Sequence, residues 1–248
     1  MNRSPWPLPL WIAHRGAGKL APENTLAAFR LGAAHGYHAF ECDVKLSADG
    51  VPFLLHDTTL DRTTSGRGVA GELDWSALSR IDAGSWHSRA YAGEPLPSLE
   101  VLAAFMHANG FALDLEIKPT PGADRHTGQV VGQAATRLWQ GPGTPALIFS
   151  SFSPESLAGA RETAPHIPQA LLLDTLWSGW LDAATELDCA AVITNYKVMS
   201  EQALGQIHAA GMRGLVYTVN DPAPAAWLQS IGIDGIITDA VDHFSPRN

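Results

Sequence analysis

Short apolar runs suited to buried strands alternate with helix-like stretches almost to the end of the chain, and this alternation limits the fold more than any other feature. The runs are LWIAH (10–14), AFECDV (39–44), FALDLEIK (111–118), ALIFSSF (146–152), QALLLD (169–174), AAVITNY (190–196), RGLVYTVN (213–220) and GIITD (235–239). Near-continuous apolar strands separated by amphipathic helices belong to a parallel sheet covered on its outer face. Another run, VPFLLHD (51–57), follows AFECDV after only KLSADG. A parallel crossover needs a dozen or more residues, so this pair is expected to form a hairpin-like extension. Eight strands remain, which predicts a (β/α)8 TIM barrel, with a doubly wound open sheet as the competing arrangement.

The helical stretches ENTLAAFRLGAAHG, SLEVLAAFMHANG and EQALGQIHAAG end on glycine, and Ser98 is placed to cap the second of them. Residues 58–97 are too long for an ordinary strand–helix connection and rich in Gly, Asp, Ser and Trp. They are expected to form a small cap inserted after the His56 strand, lying over the barrel mouth. With no linker elsewhere, residues 1–248 read as a single domain. Trp75, Trp86 and Tyr91 of the cap are candidate walls for a ligand pocket.

The net charge of −9 argues against nucleic-acid binding and against anionic membrane surfaces, though a small anionic ligand needs only a local cluster of cations. The sequence shows no signal-peptide pattern and no uninterrupted apolar stretch long enough to insert in a membrane. The two cysteines, Cys42 and Cys189, form no disulfide framework, so a cytoplasmic setting is expected. Nothing in the sequence specifies an oligomeric state.

Polar residues gather near the carboxyl ends of the strands, the end where barrel enzymes build their sites. They are His14 with Arg15, Glu41 with Asp43, His56 with Asp57, Glu116 with Lys118, and Asn220. The i, i+2 spacing of Glu41 and Asp43 puts both carboxylates on one side of a strand, with Cys42 on the other. Clustered carboxylates repel one another, and a divalent ion would remove the conflict. All-oxygen ligation by Glu41, Asp43 and Glu116 would select a hard ion, Mg2+ or Ca2+. Ordinary ion pairs with Lys45, Lys118 or Arg15 are the alternative.

Of the ten histidines, His14 and His56 stand apart because each ends an apolar strand beside other ionisable groups. One could serve as base and the other as acid, with Arg15 and Lys118 holding an anionic oxygen. His35, His38, His107 and His208 lack such company in the sequence. GAGKL (16–20) does not satisfy a phosphate-loop pattern, and no serine nucleophile elbow is present.

The ordered set HRG (14–16), APENT (21–25), ECDVKLSADG (41–50), LLHD (54–57), LEIKP (115–119), SSF (150–152), YTVN (217–220) and IITD (236–239) resembles the glycerophosphodiester phosphodiesterases. The likeness extends to DAGSW and GEPLPSL in the expected cap, and is strongest to the cytosolic bacterial subgroup associated with glycerol-phosphate uptake. It implies a metal-dependent enzyme that hydrolyses small glycerophosphodiesters, such as glycerophosphocholine, to sn-glycerol 3-phosphate and an alcohol. It further implies His14 and His56 as catalytic base and acid, and Arg15 and Lys118 as phosphate ligands. One Mg2+ or Ca2+ would be held by Glu41, Asp43 and Glu116, with Tyr217 and Asn220 in the substrate pocket. A non-catalytic sensor of the same ligands and a phospholipase-type enzyme on the same scaffold are the other readings.

Overall fold

In a computed structural model of the chain, which describes residues 6–246, eight parallel strands close into a barrel. They are β1 (Trp11–Ala13), β2 (Ala39–Leu46), β4 (Ala112–Ile117), β5 (Leu147–Ser151), β6 (Gln169–Leu173), β7 (Ala191–Asn195), β8 (Arg213–Tyr217) and β9 (Gly235–Thr238). The additional strand β3 (Pro52–Leu54) pairs antiparallel with the end of β2. Closure comes from β1, which pairs in parallel with both β9 and β2. That double pairing excludes the open sheet. β2 runs two residues beyond its expected end because Val44 to Leu46 pair with Leu54 to Pro52, carrying the strand past the barrel rim.

Helices α1 (Leu26–Ala34), α3 (Leu99–Asn109), α4 (Asp124–Leu138), α5 (Pro154–Thr163), α6 (Trp180–Glu186), α7 (Glu201–Ala209) and α8 (Pro222–Ser230) lie between the strands. Thr25, Ser98, Ser153 and Ser200 accept a hydrogen bond from a first-turn amide of α1, α3, α5 and α7, each fixing a helix start. α1 begins at Leu26 rather than near Glu23, because Asn24 adopts a left-handed conformation with φ 59°.

The side chains sort by strand parity. Trp11, Ala13, Phe40, Cys42, Val44, Leu113, Leu115, Ile117 and Phe149 point outward into the layer between strands and helices. Ile12, Ala39, Ile148, Ala170, Leu172, Ala191, Ile193, Leu215 and Ile237 fill the interior. The interior therefore holds an apolar plug, and Glu41, Asp43, Asp114 and Glu116 face inward above it, toward the carboxyl ends of the strands.

Residues 58–97 contain the one-turn helix α2 (Trp75–Leu78) and pack around Leu60, Ala70, Leu78, Ala83 and Leu96, together with Phe53 and Leu55. Polar bonds tie this segment to the loop and helix after β1: His87 Nε2 to Lys19 O at 3.0 Å, and Ala27 N to Glu94 Oε1 at 3.0 Å. Trp75, Trp86 and Tyr91 do not line the cavity at the carboxyl ends of the barrel strands. Trp75 packs on Phe53, Trp86 donates to Ala83 O, and Tyr91 packs edge-on to His87.

Candidate active site

The parity that sends Phe40, Cys42 and Val44 outward turns Glu41 and Asp43 inward, and β4 does the same for Asp114 and Glu116. Parallel register sets Glu41 beside Asp114 and Asp43 beside Glu116. One carboxylate oxygen each of Glu41, Asp43 and Glu116 lies within 4.8 Å of the others, and all three residues are buried. Burial pushes the Glu41 carboxyl well above the usual range, and Asp43 and Glu116 push it further. Burial and then Asp43 push Glu116 up to about 8. Burial also works against the Asp43 carboxylate, but Arg15 and Lys118 outweigh it and hold its pKa below the ordinary value.

Cations only partly balance this cluster. Lys118 Nζ lies 2.5 Å from Glu116 Oε1 and 3.5 Å from Asp43 Oδ1, and Arg15 Nε lies 3.3 Å from Asp43 Oδ2. Glu41 Oε1 is buried without a hydrogen-bond partner. A fourth carboxyl, Asp114, is pushed up to about 7 by burial although Ser150 bonds to it at 2.6 Å. A buried oxygen without a donor, beside carboxylates of raised pKa, is the arrangement a hard divalent cation satisfies. The residues fit such an ion.

The two histidines follow different strands, β1 and β3. His14 follows β1 and donates its backbone N–H to Thr238 O, so closure of the barrel positions it. Its Nδ1 is 2.6 Å from Asp239 Oδ1, and its Nε2 is 3.7 Å from Glu41 Oε2. Asp239 is itself held by Asn220, whose Nδ2 donates to Oδ2 at 3.0 Å and whose Oδ1 accepts from the Asp239 amide at 2.8 Å. His56 follows β3, with its Nδ1 2.7 Å from Asp57 Oδ1. Burial lowers the His56 pKa, and Arg15 and Lys118 add to that against the opposing pull of Asp43 and Asp57. In both cases a carboxylate on Nδ1 orients the ring and leaves Nε2 as the second reactive nitrogen.

Arg15 has a left-handed backbone, φ 50°, which aims its amide at Glu41 Oε2 (3.1 Å). Its guanidinium bonds to Glu23 at 2.8 Å. Asn24 then donates to Asp43 Oδ2 at 2.8 Å and accepts from the Asp43 amide at 3.1 Å, so the loop after β1 grips β2 at two points. For Lys118, burial works against the ammonium, but Asp43 and Glu116 outweigh it and keep the pKa above the ordinary lysine value.

A cavity of about 190 Å³ opens among these groups. Its walls include His14, Arg15, Glu41, His56, Glu116 and Lys118, closed on the far side by Phe152 and Tyr217. These two rings meet edge to face at 5.8 Å, and Lys118 Nζ stands 5.2 Å from the Phe152 centroid. Asp43 lies beneath, reached through its neighbours, and Asn220 sits behind Asp239.

Four contributors carry no assignment from sequence: Asp239, Glu23, Arg62 and Phe152. Each lies in a motif or in residues 58–97, but the partners of Asp239, Glu23 and Arg62 come from distant segments. His208, without evident company in the sequence, pairs with Asp234 at 2.7 Å on the amino-terminal side of the barrel.

Residues 14–243 match the model of the glycerophosphoryl diester phosphodiesterase family. The Bacillus subtilis protein YhdW is 34% identical across 93% of this chain and 94% of its own length. A glycerophosphodiester phosphodiesterase from the same organism is 30% identical across 95% of this chain and 85% of its own. Among solved structures, an Oleispira antarctica phosphodiesterase in complex with the product sn-glycerol-3-phosphate is 34% identical, covers 95% of each chain and superposes with a TM-score of 0.90. A glycerophosphodiester phosphodiesterase from Agrobacterium tumefaciens is 27% identical, covering 96% of this chain and 99% of that one, with a TM-score of 0.79. A closed barrel, an acidic trio at its mouth and this likeness along nearly the whole chain lead to one conclusion: the protein belongs to the glycerophosphoryl diester phosphodiesterase family of enzymes.

Proposed function

We propose that the protein hydrolyses small glycerophosphodiesters, glycerophosphocholine and glycerophosphoethanolamine among them, to sn-glycerol 3-phosphate and an alcohol. The observation that carries this reading is a single cavity whose wall combines two carboxylate-backed imidazoles, two cations and two of the three clustered carboxylates. Mere binding of a phosphodiester would need the cations but not the paired imidazoles. Glu41, Asp43 and Glu116 would hold one Mg2+ or Ca2+. When bound, that ion supplies positive charge to the phosphoryl oxygens and lowers the pKa of a hydroxyl beside it.

The protein's own groups divide the remaining work. Arg15 and Lys118 bind the non-bridging phosphoryl oxygens, where negative charge grows as the P–O bond breaks. His14 takes the proton of the attacking oxygen at Nε2, while Asp239 on Nδ1 stabilises the imidazolium that results. The attacking oxygen is the neighbouring glycerol hydroxyl, through a cyclic phosphate, or water. His56 gives its Nε2 proton to the departing alcohol, and its lowered pKa eases that transfer. Tyr217 and Phe152 offer flat apolar faces to the glycerol carbons, whereas Asn220 acts at one remove through Asp239.

Residues 58–97 serve in this reading as the cap beside the mouth. Among the described residues no helix is long and apolar enough to cross a membrane, and both cysteines are free and buried, which supports a cytoplasmic enzyme of soluble substrates. The test is release of glycerol 3-phosphate from glycerophosphocholine in a coupled assay. Chelation is expected to abolish it, and His14→Ala or His56→Ala to reduce kcat about 10²-fold or more. Turnover unchanged in both variants would overturn the assignment.

A further inference from the structure

Arg62, in the segment between β3 and α3, joins the two flanks of the site. Its Nε and Nη2 donate to Asp57 Oδ2 and Oδ1 at 2.7 and 2.9 Å, and its Nη1 and Nη2 donate to Glu23 Oε2 and Oε1 at 2.8 Å each. One planar guanidinium thus makes a bidentate fork to each of two carboxylates, a geometry that an ammonium cannot reproduce. Both carboxylates are already engaged with residues of the cavity. Asp57 Oδ1 faces His56 Nδ1 at 2.7 Å, and Glu23 Oε1 accepts from Arg15 Nη1 at 2.8 Å. The Arg62 side chain is 46% exposed, yet its two forks complete a chain of contacts that runs unbroken from His56 to Arg15.

We propose that Arg62 is a positioning residue for catalysis: it anchors Asp57 against His56 Nδ1 and Glu23 against Arg15, so that leaving-group protonation and phosphate binding align when residues 58–97 are seated. This deepens the phosphodiesterase reading and rests on it. Without Arg62, Asp57 is free to turn toward water and the His56 ring loses its fixed Nδ1–H tautomer. Arg15 keeps Asp43, so phosphate binding is affected less than proton transfer.

The experiment compares the wild type with Arg62→Ala, Arg62→Lys and His56→Ala on two diesters of glycerol phosphate. One is glycerophosphocholine, whose alkoxide must be protonated as it leaves; the other is the nitrophenyl ester, whose phenolate leaves unaided. Arg62→Ala is expected to lower kcat on glycerophosphocholine about 10–100-fold, as loss of an orienting partner does. On the nitrophenyl ester the loss should be below about threefold, with a similar small KM rise on both substrates. His56→Ala should show the same leaving-group pattern, and Arg62→Lys should recover only part of the activity. Nitrogen-15 NMR of His56 gives a readout independent of turnover: its Nδ1–H tautomer signature should weaken in Arg62→Ala. Equal losses on both esters, or His56 nitrogen shifts that do not respond, would overturn the proposal. No turnover of either ester by the wild type, with the nitrogen shifts still responding, would support the positioning contact and overturn the phosphodiesterase reading.

Discussion

His14 and Asp239 are 225 positions apart in the chain, yet Nδ1 of one lies 2.6 Å from Oδ1 of the other. The cause is barrel closure. β1 and β9 pair in parallel with Ala13 opposite Thr238, so the residue following each strand emerges beside its counterpart. Asn220 extends the arrangement by holding Asp239 at both its carboxylate and its amide. The last strand of the fold thereby orients an imidazole carried just beyond the first.

Asp239→Asn tests this coupling. An asparagine preserves the shape but can offer its NH2 to Nδ1, which favours the wrong tautomer and removes the charge that stabilises the imidazolium. We expect kcat to fall about 10²-fold or more with KM little changed, because the phosphate contacts proposed for Arg15 and Lys118 would be untouched. Steady-state kinetics with a melting curve for each protein checks it. A loss confined to KM would contradict the orienting role.

The acidic trio predicts a stability signature for metal binding. Addition of Mg2+ or Ca2+ to stripped protein should stabilise the fold by about 2.7 kcal/mol at a hundredfold excess over Kd, and so raise Tm in a concentration-dependent way. Glu116→Gln should abolish both the shift and the turnover. The metal-free variant should be no less stable than the metal-free wild type, since burial and Asp43 disfavour the Glu116 carboxylate. Thermal melts with and without each ion decide the matter.

Much of this architecture is legible in the chain itself, and the boundary is physical. Glu41, Asp43 and Glu116 can be grouped because strand parity places i and i+2 on one face and parallel register is local between β2 and β4. Eight strands with one short hairpin leave the barrel and β3 readable. Asp239 and Arg62 escape because their partners are set by tertiary closure and by the path of an irregular segment, neither of which has a period. Trp75, Trp86 and Tyr91 mislead for a related reason: composition marks them as walls of the site, but Trp75 packs on the apolar centre of residues 58–97, Trp86 bonds to Ala83 beside it, and Tyr91 packs against the main core.

At the opposite end of the barrel, Asp234 gives a pH prediction free of the metal site. It accepts from Gly214 N, His208 and Arg213 at 2.7 to 2.9 Å. Burial alone would raise its pKa, but these donors outweigh it and the value is lowered. A carboxylate whose folded pKa lies below its unfolded value near 3.8 stabilises the fold above that pH. That contribution is lost as pH falls through the folded value. Asp234→Asn should therefore cost about 1–3 kcal/mol at pH 7, and the difference from wild type should shrink below about pH 4. Denaturant unfolding at the two pH values measures it, and a difference that grew on acidification would contradict the assignment.

The turn after His14 gives the most direct handle on how closely its imidazole is held. Gly18 has φ +56°, its N–H donates to His14 O at 2.8 Å, and a Cβ built on it would meet Asp239 O at 2.2 Å and Cα at 2.3 Å. Both contacts are backbone, so no side-chain rotation relieves them; either the turn or Asp239 must move. Gly50 provides the control. It sits in the β2–β3 turn with φ +79° and open space around its missing Cβ, so alanine there brings left-handed strain without a clash. Gly50→Ala should lose about 1 kcal/mol of stability and keep kcat within about twofold. Gly18→Ala should lose about 1–3 kcal/mol and, in addition, about tenfold or more in kcat, because a shift in Asp239 carries the imidazole with it. Melting curves and kcat for the pair separate backbone strain from displacement of the His14 imidazole. If both variants lost activity in proportion to stability, Gly18 would be an ordinary turn residue and the contact with Asp239 would carry no catalytic meaning.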